Sequence, residues 1–233
     1  MITTTEHTIS HSGCMACSLV HLNPLGMCSK KNLTMVSSSK SNMSLAEGQV
    51  LYEQSAISQG IYCVHSGHLL LEKSIAGTKY PIKFCKSGDL LGLAAMFGTP
   101  SHHHTVTAIS PVEVCFIDTA AAWHLFENEP AFNKQVMNSL VADLNWLESK
   151  ASLSTYLNAE QRIADVLTMV YQSFGVNDEG KLNVPVSILQ LVQWCNVSAK
   201  TATQLTNGFA NKGWVIIENG VITSVLDSRN LKI

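Results

Sequence analysis

The sequence predicts an α+β protein with three parts. An N-terminal antiparallel β-roll, of the double-stranded β-helix or jelly-roll type, leads into a long dimerisation helix and a C-terminal winged helix-turn-helix. Three observations carry this. Gly48, Gly60, Gly67, Gly77, Gly88, Gly92 and Gly98 cut the chain from Leu45 to Asp118 into short apolar stretches, the turn rhythm of an antiparallel barrel or roll. From Phe132 onward the apolar residues recur every three or four positions, the period of a helix. Towards the C-terminus two capping signatures and an Asn-Gly turn follow one another closely, the parts of two short helices and a hairpin.

The roll comes first. Residues 60–64, 68–72 and 112–118 have strand-like length and β-branched or aromatic content. In the last of these Val112, Val114 and Phe116 share one face, and Glu113, Cys115 and Ile117 the other, because a strand alternates its side chains. Ahead of the roll, residues 1–44 are rich in Ser, Thr, His, Cys and Met and show little periodicity. They are expected to be loose polypeptide that something else must hold in place. The division expected is therefore 1–44 as a cysteine-containing leader, 45–129 as the sensor roll, 130–157 as the dimerisation helix and 158–233 as the winged helix-turn-helix.

In the long helix Met137, Leu140, Leu144, Leu147 and Ala151 form an a/d seam. A helix lying between two domains has little of its own chain to pack against, so the seam is expected to pair with a second copy. Val136, Val141 and Trp146 lie off the seam and are expected on the roll. Asn158 with Gln161, and Ser187 with Gln190, are capping-box spacings that open two helices. Ser198 can cap a third, Ala199 to Lys212, which Gly213 ends. Residues 214–218 and 221–225 are then two strands around Asn219-Gly220, a type I′ turn.

Composition bounds what such a chain can do. No apolar run approaches the ~18 residues of a membrane helix, and Met1 to Gly13 has no basic cap followed by an apolar stretch. No membrane partner is expected, and the expected address is cytoplasmic. The net charge is -2 and the only arginines are Arg162 and Arg229, so nucleic-acid binding would have to be local. From Lys181 to the end, Lys181, Lys200, Lys212, Arg229 and Lys232 stand against Glu218 and Asp227, a net of +3. That is a modest electrostatic footprint.

Two constellations carry chemistry. In a helix-turn-helix the first turns of the second helix lie nearest the base edges of the major groove. Here they hold Ser198, Lys200, Thr201, Thr203 and Gln204. The hydroxyls suit phosphates, Gln204 suits adenine, and Lys200 suits guanine or a phosphate. The second constellation is sulfur. Seven cysteines is an odd number, and a reducing cytosol favours metal ligands or redox groups over structural disulfides. Cys14 and Cys17 form C-x2-C, Cys28 follows, and Cys115 sits in a distant strand; tetrahedral iron or zinc accepts four such sulfurs. Cys63, Cys85 and Cys195 lie in apolar stretches, as buried small hydrophobes do. His102-His103-His104 is expected to be a polar surface loop.

In order and spacing these pieces resemble the CRP/FNR family of transcriptional regulators, and within it the oxygen-sensing FNR branch. The resemblance runs from about Cys14 to the C-terminus. It rests on His65-Ser66-Gly67, Gly88-Asp89-Leu90-Leu91-Gly92, Glu113-Val114-Cys115-Phe116-Ile117, Asn158-Ala159-Glu160-Gln161-Arg162 and Phe209-Ala210-Asn211-Lys212-Gly213. It implies a homodimeric DNA-binding regulator, not an enzyme, in which Cys14, Cys17, Cys28 and Cys115 hold an oxygen-labile 4Fe-4S cluster. The intact cluster would favour the dimer that binds a palindromic operator in double-stranded DNA and contacts RNA polymerase. The gap from Cys17 to Cys28 is longer than the family's. Lys200 and Gln204 stand where the family carries glutamate and arginine, which implies a different operator sequence. Cyclic-nucleotide members use a glutamate and an arginine after the Gly-Asp-Leu turn; this chain has Ala94, Ala95 and the histidine run, so cyclic AMP is not an expected ligand.

Two other readings remain open on the residues. One keeps the regulator and replaces the cluster by a thiol–disulfide switch at Cys14 with Cys17 or Cys28. The other is a cupin-like metal enzyme using the histidine run, for which no strand supplies a matching His and Glu.

Overall fold

The computed structural model describes residues 13–154 and 157–226, with 149–154 as backbone only. Three short 3-10 turns, Cys14–Ala16, Val20–Leu22 and Pro24–Met27, lead into α1 (Lys30–Ser39). The roll follows as β1 (Ser41–Leu45), β2 (Val50–Tyr52), β3 (Gly60–Ser66), β4 (Leu69–Ile75), β5 (Thr78–Cys85), β6 (Leu90–Leu91), α2 (Leu93–Phe97), β7 (Thr105–Ala108) and β8 (Val112–Asp118). Helices α3 (Thr119–Asn128) and α4 (Pro130–Ser154) come next. The C-terminal part comprises α5 (Ala159–Phe174), β9 (Val186–Ser187), α6 (Ile188–Cys195), α7 (Ala199–Asn211), β10 (Val215–Glu218) and β11 (Val221–Val225).

The chain divides into two compact units. One is Met1–Leu71 with Cys85–Trp146; the other is Glu72–Phe84 with Leu147–Ile233. The roll strands form two four-stranded sheets, in the orders β1-β8-β3-β6 and β2-β7-β4-β5. Gly67 shows why the turns need glycine: its φ is +82°, and a Cβ there would stand 2.1 Å from the Pro111 carbonyl oxygen.

In the first unit the core joins the sheet to the leader. Ile61, Cys63 and Ile117 from β3 and β8 pack with Ala122 and Leu125 of α3, Phe132 and Val136 of α4, Leu33 and Val36 of α1, and Leu25. Burying each large aliphatic or aromatic side chain here is worth roughly 1.5 to 3 kcal/mol. The leader is thus ordered by packing from Cys14 onward, which corrects the expectation of loose polypeptide. Periodicity missed α1 because its polar residues are satisfied locally. Ser29 caps it through the Asn32 amide, and Ser37 and Ser39 donate back to the carbonyls of Leu33 and Met35. Only Leu33 and Val36 supply a buried stripe.

A second correction concerns α4. Leu140, assigned to the seam, is half-buried and packs against the core cluster, whereas Val141, assigned to the roll, is 50% exposed. Met137, Leu144 and Leu147 are exposed as well. Val136 is buried as expected, Trp146 is half-buried, and the side chain of Ala151 lies outside the described residues. The outward stripe is therefore Met137, Val141, Leu144 and Leu147.

In the second unit both capping boxes are formed, Asn158 with Gln161 and Ser187 with Gln190. Helices α5, α6 and α7 bury Ile163, Leu167, Leu191, Ala202 and Phe209. The three-stranded wing runs β10-β11-β9, with Asn219 and Gly220 both at positive φ, as a type I′ turn requires. Phe84 packs edge-on against Phe174 and Trp194, with centroids 5.4 and 5.3 Å apart.

Candidate functional site

The helix-turn-helix is built from its turn outward. Helix α6 ends at Asn196 in the left-handed conformation, φ +50°, which asparagine tolerates better than most residues. Ser198 then caps α7, accepting the Thr201 amide at 3.1 Å. Arg162 of α5 clamps this corner by donating to the carbonyl of Cys195 at 2.9 Å and to that of Leu157 at 3.0 Å. The clamp fixes where α7 begins.

Four of the five expected reading residues, Ser198, Lys200, Thr203 and Gln204, are exposed. Thr201 is half-buried and its hydroxyl bonds that of Ser198 at 2.8 Å, so it completes the cap instead of facing outward. Asn207, which the sequence reading passed over, is exposed one turn beyond Thr203 and Gln204. Its helical spacing from them, three and four residues, was the available signal. Lys212 is engaged elsewhere: it bridges Glu160 at 3.4 Å and lies 4.4 Å from the Trp214 ring centroid. Lys181 bridges Glu179, and Asp227, Arg229 and Lys232 lie outside the described residues.

The sulfur site is a cleft of about 230 Å³ between the leader and the roll. Cys14 and Cys17 line it from the leader, Cys115 and Ile117 from β8, and Asn23, Lys40 and His65 add polar atoms. Three of the four expected cysteines are thus brought to one place. Cys28 is not among the lining residues, and Cys63 of β3 is. Cys63 and Cys115 are direct partners in the β3–β8 register. The sequence reading set Cys63 aside as a core hydrophobe; the missing signal was the pairing of two strands far apart in sequence. None of the seven cysteines is in a disulfide.

Position is set by hydrogen bonds as well as packing. The Cys14 amide donates to the Ser37 hydroxyl at 2.7 Å, tying the C-x2-C turn to α1. The Asn23 side-chain amide donates to the Cys63 sulfur at 3.3 Å, and the Lys40 ammonium to the Cys115 sulfur at 3.3 Å. Burial pushes the Cys63 thiol up to about 12, with added repulsion from Cys115, Cys17 and Cys14. Burial also raises Cys115, although Lys40 pulls the other way. Cys28 is pushed up to about 12 by burial, by the Glu129 carboxylate and by Cys14. Glu129 itself is held below the usual carboxylate range by the Ser29 hydroxyl and amide and by the Asn32 amide.

Among the described residues no three His, Cys, Asp or Glu side chains converge so as to hold a single metal ion. The histidine run is irregular chain with His103 exposed, as expected of a surface loop, but His102 departs from that expectation. His102 is 5% exposed and stacks on Tyr52, ring centroids 3.7 Å apart. His104 meets the Tyr52 hydroxyl at 3.1 Å. Among the described residues no helix is long and apolar enough to cross a membrane.

Comparison with known proteins agrees with this architecture. Residues 42–129 match the family model described as a cyclic nucleotide-binding domain. A curated relative, the CRP-like cAMP-activated global transcriptional regulator of Mycobacterium tuberculosis, is 21% identical over 187 residues, 79% of this chain and 83% of the relative. Among solved structures, the c-di-GMP-responsive global regulator CLP of Xanthomonas campestris aligns with a TM-score of 0.71 at 14% identity, covering 85% of this chain and 100% of that one. FixK2 of Bradyrhizobium japonicum aligns with a TM-score of 0.68 at 16% identity, covering 82% and 95%. The chain therefore has the CRP/FNR-like fold, an antiparallel β-roll with helices, around a domain that matches the cyclic nucleotide-binding family.

Proposed function

We propose that the chain is a cytoplasmic, homodimeric, DNA-binding transcriptional regulator that senses oxygen or redox state through a 4Fe-4S cluster in the cysteine cleft. The observation that carries the reading is that Cys14, Cys17 and Cys115, distant in sequence, line one cavity. The donor set fits the group. A single tetrahedral ion needs its sulfurs all about 2.3 Å from one centre, whereas a cluster spreads its four thiolates over four irons. Several cysteine sulfurs lining one cleft are the donor type that such a cluster takes. Polar hydrogen bonds to sulfur, here from Asn23 and Lys40, are among the features that tune such groups.

The cluster would supply an oxygen-labile link between leader and roll. The chain's own residues do the rest. The Ser37 contact and α1 position the C-x2-C turn over β8. Phe132 and Val136 seat the start of α4 in the same core as Cys14 and Ile117, so a change in the leader bears on the helix that presents Met137, Val141, Leu144 and Leu147. Dimerisation would set two copies of α7 against a palindromic operator, with Lys200, Thr203 and Gln204 towards the bases; RNA polymerase is the further partner. Cyclic nucleotide has no part in this reading. The positions after Gly92 carry Leu93, Ala94 and Ala95, and His102 packs on Tyr52.

A thiol–disulfide switch is the second reading, favoured by the closeness of Cys28 to Cys14. Iron and acid-labile sulfide analysis of anaerobically purified protein separates the two. The cluster predicts a brown protein with about four irons per chain, reduced to background in Cys115→Ala. A colourless, iron-free preparation whose thiols pair on oxidation supports the switch, and normal iron in Cys115→Ala removes that residue from the site.

A further inference from the structure

We infer that the fourth sulfur of the cleft belongs to Cys63, and that Cys28 is a core residue instead of a ligand. This rests on the cluster reading and deepens it. Four cysteines, Cys14, Cys17, Cys63 and Cys115, line the cavity, and Cys28 does not. Cys63 and Cys115 face each other across β3 and β8. Directly opposed residues of an antiparallel pair project to the same side, with Cβ atoms about 4.5 to 5.5 Å apart. Both sulfurs are therefore presented by the rigid middle of a sheet, which holds a site better than a loop does.

The leader is arranged around that pair. Asn23 caps the turn Pro24–Met27 by accepting the Leu25 amide at 2.9 Å, and its side-chain amide reaches the Cys63 sulfur. Gly26 lets the chain pass close behind: a Cβ there would lie 2.6 Å from the Val20 carbonyl oxygen. Two 3-10 turns thus carry the chain from Cys17 past the cleft before it reaches Cys28. Cys28 then enters the core beside Ser29, whose amide and hydroxyl are bound by Glu129. Across the extra length between Cys17 and Cys28 the chain leaves the cavity lining, so that Cys28 neighbours Cys14 without lining the cavity itself. To hold a cluster, each of the four lining thiols would release its proton to solvent and bind as thiolate.

The test is anaerobic reconstitution of full-length wild type, Cys63→Ser, Cys63→Ala and Cys28→Ser with ferrous iron and sulfide. Iron, acid-labile sulfide and visible absorption are read, with circular dichroism to check the fold. Expected are about four irons per chain in wild type and in Cys28→Ser, and background iron in both Cys63 variants. Loss of iron in Cys28→Ser, or full loading of Cys63→Ala, overturns the inference while leaving the cluster reading standing. Because Cys28→Ser is expected to keep its iron, it stays decisive even if the Cys63 variants misfold. A wild type that takes up no iron, or only zinc, sinks the cluster reading and this inference with it.

Discussion

Gln204 stands exposed on the first turns of α7, capped by Ser198 and aligned with Lys200 and Thr203. On the proposed reading, a side chain so placed would take part in base discrimination. Gln204→Ala is expected to cost ~1 to 3 kcal/mol of discrimination at one base pair, with an unchanged melting temperature; equal affinity for matched and mismatched operators in both proteins would move Gln204 off the base edges. Thr201→Val, by contrast, should weaken the helix cap and leave operator preference alone, because its hydroxyl is already bonded to Ser198. His102 has a pH signature. Burial, and secondarily His103, hold its pKa below the ordinary 6.5. The folded chain binds this proton less readily than the unfolded chain, so its contribution to stability is full above about pH 6.5. The contribution falls as pH drops below that value and levels off once pH passes the folded pKa. His102→Phe keeps the stack on Tyr52 and should flatten the fall in melting temperature between about pH 7 and pH 5. Identical slopes in the two proteins would mean that another group, such as the similarly lowered His68, sets the acid sensitivity.

Helix α4 presents two faces with different duties. Phe132, Val136 and Leu140 hold it to the core of the first unit, and Met137, Val141, Leu144 and Leu147 form the exposed stripe. Leu144, 54% exposed, offers apolar surface that only a second copy is expected to cover. Leu144→Glu should shift the protein from dimer to monomer in sedimentation without lowering its melting point. Leu140→Ala should instead cost stability, on the order of 2 kcal/mol. A Leu144→Glu variant that remains dimeric would place the interface elsewhere. The same helix shows what periodicity conveys and what it does not. The heptad pattern locates α4 and implies an apolar seam, yet Leu140 and Val141 are adjacent in sequence, and which of them turns inward depends on where the sheet lies. Capping boxes are read more securely, since Asn158 with Gln161 and Ser187 with Gln190 satisfy their own backbone groups whatever surrounds them. α1 escapes notice for the opposite reason: its serines satisfy the backbone without a code, and its buried stripe is two residues long.

At the scale of the molecule, leader and roll share one core, and the sulfur cleft opens at their seam. C-x2-C spacing and the outward face of β8 made Cys14, Cys17 and Cys115 legible in the sequence. Cys63 was not, because its place opposite Cys115 comes from pairing β3 with β8 across some fifty residues of intervening chain, and no local pattern encodes a register. On the proposed reading, a link across this seam would hold the leader against the element that carries α4, and breaking it would change the population that dimerises. Anaerobic sedimentation, run with iron analysis before and after a brief exposure to air, tests this most directly. The account predicts a brown dimer that becomes colourless and monomeric in step with the loss of about four irons per chain. An unchanged mass after the iron has gone, or a dimer that never held iron, would contradict it.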